Sequence, residues 1–128
     1  MKLGYTLLYV DDVEGTMDFY AKAFGLNKGF LHESNQYGEM TTGETKLGFV
    51  HHETAGSHGF EYNKMSLKEK PAAFEIGLIT KDVEAAFKKA VQAGAKSVSE
   101  PTAKPWGQVI SYVRDCNGFL IEICSPMG

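Results

Sequence analysis

The chain contains an internal repeat. The stretch from Tyr5 to Gly25, YTLLYVDDVEGTMDFYAKAFG, aligns with EIGLITKDVEAAFKKAVQAG from Glu75 to Gly94. The DVE triplet that starts at Asp12 meets its copy at Asp82, an offset of 82 − 12 = 70 residues, and the alignment slips by one residue only at the closing glycine. Because a repeat of this kind indicates a duplicated supersecondary unit, we expect both halves to adopt the same order of elements.

Each copy predicts a strand followed by a helix. A short run rich in Leu, Ile, Val or Tyr is typical of a strand, and an aspartate then supplies a helix N-cap. Apolar residues next recur every three or four positions, as one buried helical face requires. These residues are Val13, Met17, Tyr20 and Phe24 in the first copy, and Val83, Phe87, Ala90 and Val91 in the second. A glycine closes each predicted helix, where a left-handed residue costs least.

Three strand-like segments follow each predicted helix. They are GFLHES, YGEMTT and TKLGFVHH in the first half, and AKSVSE, GQVISYV and FLIEIC in the second. Both halves therefore predict the order βαβββ. A polar, glycine-bearing segment links them, so we expect module 1 at about 1–53, a connecting loop at about 54–71 and module 2 at about 72–128. With 128 residues and 43% hydrophobic content, the sequence is predicted to form a single globular domain.

Composition excludes several classes of partner. The formal net charge is −3, and acidic and basic residues are interspersed along the chain, so nucleic acid and anionic membrane are not expected to bind. The N-terminus has neither a signal-peptide cleavage site nor a run long enough to span a membrane, which predicts a cytoplasmic protein. Cys116 and Cys124 match no disulfide or metal pattern, and we expect free thiols, with Cys116 in a turn the more reactive and its role open.

The sequence resembles a known family. The duplicated pattern, the segment YVDDVEGTMDFYAKAFGL, the KPWGQ segment and the terminal RDCNGFLIEI are similar to the vicinal oxygen chelate superfamily. That group includes glyoxalase I, extradiol dioxygenases and bleomycin resistance proteins. The resemblance implies an α+β fold in which two tandem βαβββ modules form a curved mixed sheet around a cleft, with helices on the convex side. Family members often carry DPDG or DPNG where this chain has DCNG.

The resemblance also implies where metal ligands would lie. The four family positions fall on Tyr5, Gly48, Glu75 and Glu122 of this chain. Glycine has no ligating side chain, and a phenol is a poor ligand for a divalent metal, so Glu75 and Glu122 form an incomplete set. His52 is a remote candidate for a third ligand, on the expectation that it shares a strand face with Gly48. Whether the protein binds a divalent metal such as Zn, Ni, Mn or Fe therefore stays an open question.

Other functions for these side chains remain open as well. The implied ligand-binding residues are Tyr5, Tyr9, Phe60, Glu75, Trp106 and Glu122, since small-molecule sites combine aromatic walls with a few polar anchors. Without a metal, Glu75 and Glu122 could share a proton, act as general acid and base, or bind a cationic ligand. Glu122 could also be structural and accept hydrogen bonds from neighbouring strands or from Tyr5.

Two functions follow from these alternatives. The first is a non-catalytic small-molecule binding protein of the glyoxalase and bleomycin-resistance type, with its ligand in the cleft between the modules. The second is a metal-dependent lyase or isomerase resembling glyoxalase I, in which Glu75 or Glu122 is the general base. An extradiol dioxygenase is less well supported, because its iron site needs two histidines where this chain has Tyr5 and Glu75. The resemblance also implies a homodimer.

Overall fold

The computed structural model describes residues 1–127 and contains two mixed β-sheets with helices. In chain order the elements are β1 (Tyr5–Val10), α1 (Val13–Phe24), β2 (Asn27–Leu31), β3 (Tyr37–Thr41), β4 (Lys46–His51), α2 (His52–Gly56), β5 (Glu75–Ile79), α3 (Val83–Gln92), β6 (Lys96–Ala103), β7 (Val109–Arg114) and β8 (Leu120–Cys124). The predicted βαβββ order is confirmed in both halves.

The two sheets have the same topology. Their strand orders are β1-β4-β3-β2 and β5-β8-β7-β6. In each sheet the first strand runs parallel to the last, and the remaining neighbours are antiparallel. The parallel pair is possible because a helix and two further strands separate its members along the chain. The α+β class predicted from the sequence is confirmed.

Equivalent aspartates start the two long helices. The Asp12 side chain accepts a hydrogen bond from the Gly15 amide at 3.0 Å, and the Asp82 side chain accepts one from the Ala85 amide at 3.0 Å. Each bond satisfies an amide that has no partner inside the helix. Gly25 ends α1 in the left-handed conformation with φ of 69°. The repeated DVE triplet therefore begins a helix in each half of the chain.

Strand alternation decides which face of each sheet is buried. In β1, Leu8 and Val10 are fully buried, and in β8 the same is true of Ile121 and Ile123. Each unit has its own core, to which the buried face of α1 contributes in the first unit and that of α3 in the second. The opposite face of each first strand stays open, and Ile79 on β5 is 70% exposed.

The chain leaves β4 earlier than the sequence predicts. His52 was expected on the strand face of Gly48, but it is the first residue of α2, so the strand alternation does not extend to it. The His51 ring caps this helix, because its Nδ1 accepts a hydrogen bond from the Glu53 amide at 3.0 Å. Ala55 is buried by the same turn. The expectation that His52 extends the strand face of Gly48 is therefore wrong.

The chain forms two compact units, Met1–Lys64 and a second that begins at Met65. The boundary falls inside the predicted connecting segment 54–71. In the second unit Arg114 joins the part of this segment beyond Met65 to the β7–β8 turn, because Nη2 donates to the Ser66 carbonyl at 2.9 Å and Nε donates to the Gly118 carbonyl at 2.8 Å. Within residues 1–127, none of the helices combines the length and the apolar character needed to cross a membrane.

Candidate functional site

The hairpin of β7 and β8 places Tyr112 beside Glu122. The turn between these strands is closed by a hydrogen bond from the Gly118 amide to the Asp115 carbonyl at 3.1 Å. The Asp115 carboxylate also accepts bonds from the amides of Asn117 and Phe119 at 2.8 and 2.9 Å. This turn fixes the antiparallel register in which Tyr112 and Glu122 are direct partners. Cross-strand partners share one face of a sheet, so both side chains lie on the face that α3 leaves open.

One phenol joins two carboxylates on this open face, which we define by Glu75, Gly77, Ile79, Tyr112 and Glu122. The Tyr112 hydroxyl lies 2.9 Å from Glu122 Oε1 and 3.4 Å from Glu75 Oε1. A phenol has a single proton to donate, so the shorter contact is the better hydrogen bond. Tyr112 on the neighbouring strand is thus one hydrogen-bond partner of Glu122, where the sequence suggests a neighbouring strand or Tyr5.

The cluster changes the acidity of its members. Partial burial and the adjacent Glu122 carboxylate raise the pKa of Glu75, while the Tyr112 hydroxyl opposes this shift. Burial, the hydrogen bond to Glu122 and the negative charge of both carboxylates raise the pKa of Tyr112. Tyr112 therefore stays protonated at neutral pH and acts as a donor. Glu75 is the carboxyl group that takes up a proton more readily than an ordinary glutamate.

A chain of polar side chains leads from Glu122 towards Trp106. The Cys124 thiol contacts Glu122 and Gln108, and burial together with Glu122 raises the pKa of this thiol to about 11. Cys124 is therefore not a thiolate at neutral pH. Gln108 Oε1 accepts a hydrogen bond from the Trp106 indole at 2.9 Å, and its Nε2 donates to the Ser125 carbonyl at 2.9 Å. Trp106 is exposed and is linked to Glu122 through Gln108 and Cys124.

The first module carries a related pair that the sequence did not reveal. Gly48 lies opposite Glu39 on β3, so the carboxylate is on the strand next to the expected one. The Tyr37 hydroxyl donates to Glu39 Oε2 at 2.6 Å, and Lys46 Nζ lies 3.2 Å from Glu39 Oε1. Burial and Glu39 raise the pKa of Tyr37. Glu39, the carboxylate opposite Gly48, is therefore already paired with Lys46.

Tyr112, Tyr37 and Glu39 lie outside the four family positions, so the resemblance does not point to them. A usable signal existed. The spacing of the strands around a short turn predicts which residues of the two strands are partners. In the last hairpin this spacing makes Tyr112 a candidate partner of Glu122, and the conformation of the turn decides the register.

The remaining predicted residues of the first compact unit, Tyr5, Tyr9 and Phe60, have different surroundings. Tyr5 is on β1 and is 56% exposed. Tyr9 packs edge-on against Tyr62, with ring centroids 4.9 Å apart. Phe60 is half exposed, with its ring centroid 6.3 Å from that of Tyr62. Aromatic side chains therefore gather around Tyr62 in the segment that leaves the first module.

His52 belongs to this aromatic group. Its Nδ1 lies 2.7 Å from the Tyr62 hydroxyl, and its Nε2 lies 3.9 Å from the Asp11 carboxylate. Burial is the main reason that the pKa of His52 is lowered, and the nearby Lys64 adds to the shift while Asp11 opposes it. The lowered pKa favours the neutral imidazole, whose Nδ1 is within hydrogen-bond distance of the Tyr62 hydroxyl.

The donor set does not fit a catalytic divalent metal. Such a site takes three protein ligands and keeps a position open. Glu75 and Glu122 supply two, and the protonated Tyr112 phenol is not an anionic ligand. Throughout residues 1–127, no group of three or more His, Cys, Asp or Glu side chains is arranged to hold a metal ion.

Comparison with known proteins gives a consistent family. Residues 2–123 match the model of the Glyoxalase/Bleomycin resistance protein/Dioxygenase superfamily. The uncharacterized protein YraH of Bacillus subtilis is 28% identical over 124 residues, which is 96% of this chain and 97% of YraH. A glyoxalase-related enzyme from Fulvimarina pelagi has a TM-score of 0.84 at 18% identity, over 98% of this chain and 88% of that one.

A second solved structure agrees with the first. A glyoxalase/bleomycin resistance protein/dioxygenase family enzyme from Burkholderia phytofirmans PsJN has a TM-score of 0.76 at 20% identity, over 98% of both chains. Similarity at this level of identity concerns the fold. The family model, in contrast, covers nearly all of the sequence. The chain therefore belongs to the Glyoxalase/Bleomycin resistance protein/Dioxygenase superfamily.

Proposed function

We propose that this protein binds a small organic molecule on the open face of the second sheet, and that the bound group is a positively charged hydrogen-bond donor. The observation that carries the proposal is the position of two carboxylates within reach of one phenol. Tyr112 satisfies only part of their capacity to accept hydrogen bonds. A cationic donor such as an amidinium or ammonium group supplies the missing protons and offsets the repulsion between the carboxylates.

Apolar side chains beside the carboxylates support an organic ligand. Ile79 lies on the same strand face as Glu75 and is 70% exposed, and Phe74, which precedes β5, is 51% exposed. Small-molecule sites typically combine apolar surface with a few charged or polar groups that fix the orientation. The expected ligand is therefore an organic cation with an apolar body, and a bare inorganic ion is a poorer match.

A metal-dependent lyase or isomerase has weaker support. The raised pKa of Glu75 suits a general base, as the sequence-based alternative requires. That mechanism also needs an electrophile that stabilises the developing negative charge. The two carboxylates and the protonated phenol would hold a catalytic metal poorly. We therefore favour binding without turnover.

Titration calorimetry with benzamidine tests the proposal. At neutral pH this probe is a planar cation, and benzamide is its neutral analogue of nearly equal shape. We expect saturable binding of benzamidinium, little binding of benzamide and no effect of EDTA. A hydrogen bond to a charged group contributes about 1.5–3 kcal/mol, so Glu122→Gln should weaken the affinity by roughly 10-fold to 100-fold. Equal affinity for the two probes, or binding that needs added metal, contradicts the proposal.

We also propose that the protein is a homodimer. Large side chains on β1 of the first sheet support this, because Tyr5 is 56% exposed and Leu7 is 46% exposed in the single chain. Exposed apolar surface of this kind often marks a contact with another chain. Sedimentation equilibrium is expected to give twice the 14.1 kDa mass of one chain, and a monomer across the micromolar range contradicts this proposal.

A further inference from the structure

Gly77 is a strand glycine that packing does not require. The other glycines within the described strands are Gly29, Gly38 and Gly48, and a Cβ added to any of them would collide with a neighbour. At Gly29 the nearest atom would be Thr41 Oγ1 at 2.9 Å, and at Gly48 it would be Leu7 Cδ2 at 2.7 Å. At Gly38 the obstacle is the Met17 sulfur. At Gly77 the nearest atom is Glu122 Oε2 at 4.0 Å, which is an ordinary contact distance.

The backbone does not require glycine at this position either. The φ angle of Gly77 is not positive, so any L residue can adopt its conformation. Glycine in the middle of a strand weakens it, because the unfolded chain is more flexible and no side chain packs. A glycine that serves neither packing nor backbone geometry often marks a place where another molecule approaches closely.

Gly77 also lies beside the proposed binding group. It is the direct partner of Glu122 in the parallel pair of β5 and β8. Its counterpart in the first module is Leu7, at the repeat offset of 77 − 7 = 70 residues. Leu7 is the direct partner of Gly48, and its Cδ2 occupies the space where a side chain at position 48 would begin. The two modules thus have opposite arrangements, with a filled position in the first and an open one in the second.

We propose that Gly77 determines ligand specificity, because its missing side chain leaves room beside Glu122 for the cationic head of the ligand. This inference rests on the proposed function of the open face. The space suits a compact or flat head, such as an ammonium or amidinium group, that approaches Glu122 from the side of β5. A leucine at position 77, as in the first module, would cover the carboxylate and exclude the head.

The test compares Gly77→Ala, Gly77→Leu and wild type by calorimetry with benzamidinium and by thermal unfolding. Gly4→Ala is the matched control, because a Cβ at Gly4 has no neighbour within 4 Å and its φ is not positive. We expect Gly77→Ala to keep or raise the melting temperature while it weakens binding. Gly77→Leu should weaken binding by about tenfold or more, as overfilling a site does. The Gly4→Ala control should bind as wild type does.

The outcomes separate this inference from the proposed function. If wild type binds benzamidinium and Glu122→Gln loses it, but Gly77→Leu binds normally, only the specificity role is overturned. A Gly77→Ala protein that is clearly less stable than wild type would show a packing role and would also overturn it. A Gly77 variant with unchanged binding and an altered sedimentation mass would overturn the specificity role too, since Gly77 would then accommodate another chain. Failure of wild type to bind benzamidinium overturns the proposed function and the inference together.

Discussion

On the open face the two carboxyl groups of Glu75 and Glu122 lie near a single phenolic donor, the Tyr112 hydroxyl, and this arrangement controls the acidity of the cluster. Tyr112 donates to Glu122 over 2.9 Å and reaches Glu75 only at 3.4 Å. The second carboxyl group therefore meets a negative neighbour without a full hydrogen bond to offset it. Partial burial first, and then the charge of Glu122 and a hydrogen bond between the two carboxyl groups, raise the pKa of Glu75.

The shift in Glu75 predicts a pH-dependent effect of Glu75→Gln. The folded protein holds the Glu75 proton more tightly than the unfolded chain does. The contribution of Glu75 to the stability of the fold therefore falls as the pH rises from the pKa of an ordinary glutamate to the raised pKa of Glu75. Glutamine removes the repulsion, so we expect a higher melting temperature than wild type at pH 7.5 and a smaller difference at pH 4. Thermal unfolding followed by circular dichroism measures both. A variant less stable than wild type at both pH values would contradict the prediction.

At the scale of single residues, the sequence predicted that Glu75 and Glu122 face the same way but did not predict that Tyr112 lies between them. Alternation along β8 was enough to put Glu122 on the face opposite Ile121 and Ile123, and both isoleucines are buried. Finding Tyr112 required the register of the hairpin, which depends on the conformation of the DCNG turn. Turn conformation is set by hydrogen bonds such as those accepted by Asp115, and a strand pattern alone does not contain them.

Among the elements, the turns before the two last strands offer a comparison. Gly43 and Gly118 hold equivalent places in the repeat and both have positive φ, 121° and 100°. A Cβ at Gly43 meets nothing within 4 Å, whereas at Gly118 it would lie 2.9 Å from both Arg114 Nη2 and the Ser66 carbonyl carbon. The turn at Gly118 is therefore packed against Arg114 and Ser66, whereas the turn at Gly43 has open space beside it.

The prediction is that Gly118→Ala destabilises the protein more than Gly43→Ala. Both substitutions carry the strain of an L residue at positive φ, on the order of 1–3 kcal/mol. Only Gly118→Ala adds a collision with backbone, which we expect to cost a further ~1–3 kcal/mol. Urea unfolding, followed by the single tryptophan, Trp106, and by circular dichroism, measures both free energies. Equal losses for the two variants would mean that the Arg114 contact is not tight.

Helix α2 is the element that the sequence pattern did not predict. The run TKLGFVHH continues a strand by composition, and nothing in its period announces the change at His52. The change depends on the His51 ring acting as an N-cap, which is a local contact that strand composition does not reveal, and on the burial of Ala55, which is a tertiary effect. As a result His52 pairs with Tyr62 and does not extend the strand face of Gly48.

The Tyr62 contact predicts the titration of His52. Burial lowers the pKa of His52, so the folded state holds this proton less tightly than the unfolded chain, and stability falls as the pH drops below the usual histidine value. Tyr62→Ala uncovers the ring and removes the hydroxyl that lies 2.7 Å from Nδ1, so the pKa should rise towards that value. Proton NMR of the imidazole, assigned with His52→Gln, measures the shift. Phe60→Ala is the control and should leave the pKa of His52 unchanged. If the Tyr62→Ala protein titrates as wild type does, Tyr62 does not lower the pKa of His52.

At the scale of the whole molecule, a duplicated fold carries unequal chemistry. The repeat predicted both βαβββ units correctly because strand and helix periods are properties of the chain itself. It could not predict that Lys46 neutralises the carboxylate of the first module, since that carboxylate, Glu39, lies outside the expected positions. In the second module no lysine or arginine lies within ion-pair distance of Glu75 or Glu122 among the described salt bridges of residues 1–127.

This asymmetry predicts different effects of two matched substitutions. Glu122→Gln should reduce the thermal stabilisation that benzamidinium gives, whereas Glu39→Gln should leave it unchanged, because Lys46 and Tyr37 already occupy the Glu39 carboxylate. A ligand at 100 times its dissociation constant stabilises the folded state by about 2.7 kcal/mol, so the loss is measurable as a shift in melting temperature. Each variant is compared with its own ligand-free protein, which removes any effect of the substitution on stability itself. Equal losses in the two variants would mean that both modules bind the cation and that the open face of the second sheet has no special role.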